Sequence, residues 1–143
     1  MWKQLIEGLE GKAKFFPPAT TEQLHQVEKS VRVELPEELK SLLAETNGVD
    51  GDYGVSLLWS TDQIIENTAA YRVGYEPNRL KTFDMFLFFA DAGNGDLFAY
   101  RIESGRIPTT EIYAWDHEDD THKIIAPSLR DYLQGWLQGT ITV

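Results

Sequence analysis

Apolar side chains recur along this chain with a helical spacing in its first half and a strand-like spacing in its second. Leu5, Ile6 and Leu9 predict a short amphipathic N-terminal helix. After Pro17-Pro18 comes Thr20-Thr21-Glu22-Gln23, the chemistry of a capping box. Thr20 can accept from the backbone N–H three residues on, and Gln23 can reach back. Leu24, Val27 and Val31 then share one face of a second helix. Pro36 suits the first turn of a third helix, with Glu37 and Glu38 at its positive end. Leu39, Leu42 and Leu43 supply its buried stripe, and Asn47-Gly48 stops it. The compact run Gly54-Val55-Ser56-Leu57-Leu58-Trp59 reads as a strand. Ser60 and Gln63 repeat the capping spacing ahead of a fourth helix, with Ile64, Ile65 and Tyr71 facing inward.

The second half predicts an antiparallel meander. Met85-Phe86-Leu87-Phe88-Phe89-Ala90 is a nearly continuous apolar strand. Asn94-Gly95 marks a hairpin turn, because both residues tolerate the left-handed backbone that tight hairpins need. Residues 96–102 alternate as the return strand, Glu103-Ser104-Gly105-Arg106 turns again, and Glu111-Ile112-Tyr113-Ala114-Trp115 is a third strand. From Ser128, the residues Leu129, Tyr132, Leu133, Trp136 and Leu137 form one clean helical face. Trp59, Trp115 and Trp136 are expected in the core, while Trp2 lies where chain starts fray and His25 faces solvent. The pattern is α+β: N-terminal helices, an antiparallel β-meander sheet, and a C-terminal helix packed on one face. The 143 residues fit a single domain, 1–143, with no repeat, low-complexity tract or linker.

Composition narrows the function. With 42% hydrophobic and 25% charged residues the chain is globular rather than disordered. No apolar run approaches a membrane span, and the N-terminus lacks a signal peptide's apolar core. With no cysteine there is no disulfide, thiolate metal site or cysteine nucleophile, which fits a cytoplasmic protein. Thirteen basic and 23 acidic side chains give a net charge of −10, spread along the chain without an acidic tail. Such a surface repels nucleic-acid backbones and anionic membranes. It attracts a basic protein partner, and it also serves solubility alone.

The densest polar cluster is Asp116-His117-Glu118-Asp119-Asp120-Thr121-His122, expected as a loop after a strand. It reads as a solvated acidic loop, as an acidic docking loop for a basic partner, or as a metal site. The metal reading is the weakest, because the two histidines lie five apart rather than four. Asp91-Ala92-Gly93-Asn94-Gly95-Asp96 has neither the alternating ligands of a calcium loop nor the lysine of a phosphate loop, and reads as a plain turn. Asp50-Gly51-Asp52-Tyr53-Gly54 is a loop whose flanked tyrosine suits an interface anchor. No serine sits in a nucleophile elbow.

Four segments in order resemble the SUKH superfamily, the group around the Smi/Knr cell-wall regulators and bacterial toxin-immunity proteins. They are Leu24 to Glu28 with Val33-Glu34-Leu35-Pro36-Glu37-Glu38-Leu39 through Asn47-Gly48; Leu57-Leu58-Trp59-Ser60-Thr61-Asp62-Gln63-Ile64; residues 87–100; and Ile112 to Glu118 with Ala126-Pro127-Ser128-Leu129 and Tyr132-Leu133. The likeness is strongest over residues 20–138. It implies an α+β domain that binds proteins without catalysis and takes no cofactor or metal. The role it implies is an immunity protein neutralising a basic toxin domain, often a nuclease, or a regulatory scaffold in cell-wall or stress signalling. Joined to the charge, it makes Asp50, Asp52, Tyr53, Asp116, Glu118, Asp119 and Asp120 the expected protein-binding residues.

Overall fold

Five helices and two antiparallel sheets are built from the described residues. The computed structural model describes residues 1–9, 11–51, 54–74 and 84–143. In chain order the elements are α1 (Trp2–Leu9), β1 (Lys14–Phe15), α2 (Thr21–Val31), α3 (Glu37–Glu45), β2 (Val49–Asp50), β3 (Ser56–Leu58), α4 (Thr61–Gly74), β4 (Phe86–Asp91), β5 (Leu97–Arg101), β6 (Ile112–Asp116), β7 (Thr121–Ala126) and α5 (Leu129–Gln138). The α+β expectation holds.

The caps form as the spacing predicts. Thr20 Oγ1 accepts from Gln23 N at 3.1 Å while Gln23 Oε1 accepts from Thr20 N at 2.9 Å. Ser60 and Gln63 exchange the same pair of bonds ahead of α4, and Ser128 caps α5 through Asp131 N. Each such cap satisfies N–H groups that the helix itself leaves unpaired. Asn47 does more than stop α3. Its Oδ1 accepts from Thr61 N at 2.8 Å and its Nδ2 donates to Thr61 Oγ1 at 3.1 Å, fastening the start of α4 to the end of α3. Trp2 is buried rather than frayed. Glu45 accepts from Trp2 N, Lys3 N and the terminal ammonium, each at 3.1 Å, so a carboxylate sits at the positive end of α1. Burial raises the Glu45 pKa, but those donors outweigh it and hold the carboxyl below its usual range.

The larger sheet has the order β4-β5-β6-β7, all antiparallel. Both of its faces are covered, which is why β4 is apolar at successive positions instead of alternating. On one face Phe89 and Phe98 meet Tyr132 of α5, and Phe98 also meets Trp136. On the other, Phe88 and Trp115 pack with Tyr71 of α4, and Phe86 with Tyr113. Trp59 and Trp115 are fully buried, and Trp136 is partly so.

Glu38 locks this arrangement. Its Oε1 accepts from the Tyr100 hydroxyl at 3.0 Å and from Leu129 N at 3.2 Å, so one carboxylate of α3 holds β5 and the first residue of α5. Burial, then the charge and hydrogen bond of Glu38, push the Tyr100 pKa well above its usual value.

Two features depart from the sequence reading. β1, β2 and β3 form a small antiparallel sheet, and only Ser56–Leu58 of the expected 54–59 strand pairs in it. The expected loop at 116–122 is a tight turn between two strands, since β7 pairs with β6 from Thr121 onward. β7 was hidden because it is an outer strand, exposed from 121 to 124, and so carries no apolar alternation.

Candidate functional site

Antiparallel order places the β4–β5 turn and the β6–β7 turn at the same end of the sheet. Val55, just before β3, lies against the first of these turns at Gly93, with Cγ2 3.2 Å from where a Cβ would stand. The turns around 93 and 118 therefore form one acidic rim, with Val55 beside it.

Hydrogen bonds hold the rim in shape. In the β4–β5 turn, Asp96 N donates to Asn94 Oδ1 at 3.0 Å and Ala92 N to the Asp96 carbonyl at 3.0 Å. Asp91 accepts from the Trp59 indole at 2.7 Å. In the β6–β7 turn, Asp116 Oδ1 accepts from Glu118 N at 2.8 Å. Asp119 Oδ1 accepts from both Thr121 N at 3.1 Å and the Thr121 hydroxyl at 2.6 Å. Asp120, at a left-handed φ of +56°, accepts from the Trp115 indole at 2.6 Å. Short acidic side chains bind their own turn in this way, so the carboxylate run has a structural reason as well as a charge.

One contact joins the two turns. Asp96 Oδ1 takes both the N–H of His117 at 3.1 Å and its Nδ1 at 2.6 Å. The His117 ring lies flat against Gly95, where a Cβ would come within 2.8 Å of it; Gly95 also holds φ +101°. The hydrogen bond that the ring donates to Asp96 raises the His117 pKa above 6.5 against a smaller desolvation cost, helped by the charges of Asp96, Glu118 and Asp116. Nothing local in the sequence announces this pair, since its members are 21 residues apart.

The expected site residues divide as follows. Asp116, Glu118, Asp119 and Asp120 come together in the β6–β7 turn, with Glu118 and Asp119 exposed. Asp50 stands at the end of β2, half-buried and paired with Lys14 and Ser56. Asp52 and Tyr53 lie outside the described residues. Asp91 and Asp96, read as parts of a plain turn, belong to the same rim, and Asp96 is buried. His117 and His122 do not converge: His117 turns to Asp96, whereas the His122 ring packs against Phe86 and Tyr113. Among the described residues Asp96, Asp116 and His117 place donor atoms within 4.8 Å of one another. Within that trio Asp96 Oδ1 is hydrogen-bonded to His117, the latch between the turns, and Asp116 Oδ1 to Glu118 N.

Comparison with known families settles the kinship. The family model described as SUKH_6, SMI1-KNR4 cell-wall, matches residues 21–133. The chain belongs to the SUKH family. The match begins at the first residue of α2 and ends within α5, so it takes in the Glu38 lock, the Asn47 clamp and both turns of the rim. No curated protein matches the SUKH chain. Its family points to protein–protein interaction in general, of the Smi/Knr or toxin-immunity kind. Among the described residues, no helix is long and apolar enough to cross a membrane.

Proposed function

We propose that the chain binds another protein without catalysis, as an immunity protein that neutralises a cognate toxin by direct contact. The acidic rim carries the reading. Asp116, Glu118, Asp119 and Asp120 are its contact residues toward a basic toxin domain, and Asp50, Asp52 and Tyr53 are proposed with them from the sequence alone. The support is rigidity joined to charge. Asp116, Asp119 and Asp120 are held by bonds within their own hairpin, so docking orders few side chains. The net charge of −10 steers a basic partner toward the surface. A nuclease fits such a rim well, because its own phosphate-binding surface is basic and an acidic surface competes for it.

The test titrates the purified protein into the toxin domain encoded beside its gene, by calorimetry, with rescue of growth as the second readout. Glu118→Gln with Asp119→Asn slows association about 3- to 10-fold at low salt and less at high salt. Absence of both binding and rescue ends the proposal. The second reading is a regulatory scaffold, favoured by the cell-wall description of the matching family. It requires capture of wall-assembly or signalling proteins, and no toxin gene nearby.

A further inference from the structure

The outer edge of β7 is unlike the other sheet edges among the described residues. β1, at the margin of the small sheet, has two residues. The outer side of β4 is met by Trp59, whose N–H donates to the Phe89 carbonyl at 2.7 Å. β7 is outermost in its sheet, six residues long, free of proline, and exposed from Thr121 to Ile124. Ile124 is 53% exposed, and among the described residues the other exposed large apolar side chains are the end residues Met1 and Val143. Edge strands are usually blunted by short length, proline, a bulge or an overlying element. Here the register irregularity opposite Ile112/Tyr113 makes Ile125 the extra residue of β7, so the bulge sits past Ile124, at the far end from the acidic turn, and leaves 121–124 in regular register with β6; Lys123 is the strand's charged guard. Alternate backbone N–H and C=O groups of an outer antiparallel strand point away from its neighbour.

We propose that β7 accepts an extended segment of a partner protein as a fifth strand, and that this segment is basic where it passes the β6–β7 turn. The inference rests on the protein-binding function above and adds how the partner is held. Main-chain bonds along the edge supply affinity, and side-chain contacts supply choice. The acidic β6–β7 turn at the start of the strand, on a chain of net charge −10, favours lysine or arginine there. Ile124 offers an apolar contact farther along, beside a His122 ring already seated on Phe86 and Tyr113. A second copy of the chain is the competing occupant, but each copy carries −10 and repels the other.

The probe is a capped synthetic peptide of about ten alternating lysine and valine residues, long enough to cover the edge, with a glutamate/valine peptide as control. The full-length chain is followed by amide exchange and NMR titration. Binding of the lysine peptide slows exchange within residues 121–124 about tenfold or more, and Ile124→Lys weakens it about tenfold while circular dichroism stays unchanged. Binding that leaves those amides unprotected, equal binding of the glutamate peptide, or sedimentation showing a dimer through this edge overturns the proposal. A toxin domain that binds Ile124→Lys at wild-type affinity overturns strand addition and leaves the binding function standing. A toxin domain that fails to bind the wild-type chain overturns that function instead, and the peptide measurement still reads the edge.

Discussion

Removing the Glu38 carboxylate is expected to loosen three elements at once. In Glu38→Ala the Tyr100 hydroxyl, fully buried, loses its acceptor, and Leu129 N–H at the start of α5 loses a charged one. An unsatisfied buried donor costs about 1–3 kcal/mol. Loss of the negative charge at a helix N-terminus adds about 0.3–1 kcal/mol. The sum is a destabilisation of about 1.3–4 kcal/mol. For a chain of this size that lowers Tm by about 5–15 °C. Urea and thermal unfolding, followed by tryptophan fluorescence and circular dichroism, measure it. Glu38→Gln keeps an acceptor and costs about 1 kcal/mol. Tyr100→Phe removes the hydroxyl that needs the carboxylate, so the double variant Glu38→Ala/Tyr100→Phe should be more stable than additivity allows by about 1–2 kcal/mol. A Glu38→Ala cost under about 0.5 kcal/mol, or strict additivity in the cycle, refutes the lock.

Tyr132 is fully buried and its hydroxyl finds no hydrogen-bond partner among the described residues, so Tyr132→Phe should leave stability unchanged or raise it by up to about 1 kcal/mol in urea titration. His117 should titrate above 6.5 by NMR. Its folded pKa is raised, so its stabilising contact with Asp96 is fully present below pH 6.5 and fades as pH rises through the folded value. His117→Gln removes that pH dependence, and a measured pKa at or below 6.5 refutes the latch. Gly95→Ala forces a side chain onto φ +101° and into the His117 ring, a cost of roughly 1–3 kcal/mol by thermal unfolding. His117→Ala in the same chain should recover the steric part of that cost.

The fold was legible where local chemistry and periodicity agree. Thr20 with Gln23, Ser60 with Gln63, and Ser128 each announce a helix start within one turn of chain, and the structure uses all three. Strand β7 was not legible. A half-exposed outer strand has no apolar period, and Thr121-His122-Lys123 looks like the end of a loop until β6 supplies its pairing. The covering of both faces of the sheet was half legible. The apolar run of β4 pointed to it, but which helix lay on the second face depended on α4 bringing Tyr71 to Phe88 and Trp115.

The same division holds for the acidic rim. Its charge, its tendency to form turns and the family kinship reside in short stretches of chain, because carboxylates fold back on their own backbone within a few residues. That the turns near 93 and 118 stand side by side, with Asp96 gripping His117, came from sheet order. So did the single carboxylate of Glu38 serving both β5 and α5. These contacts join residues 21, 62 and 91 positions apart. Spacing along a chain carries no information at such separations; only the pairing of strands and the packing of helices over them brings such groups together.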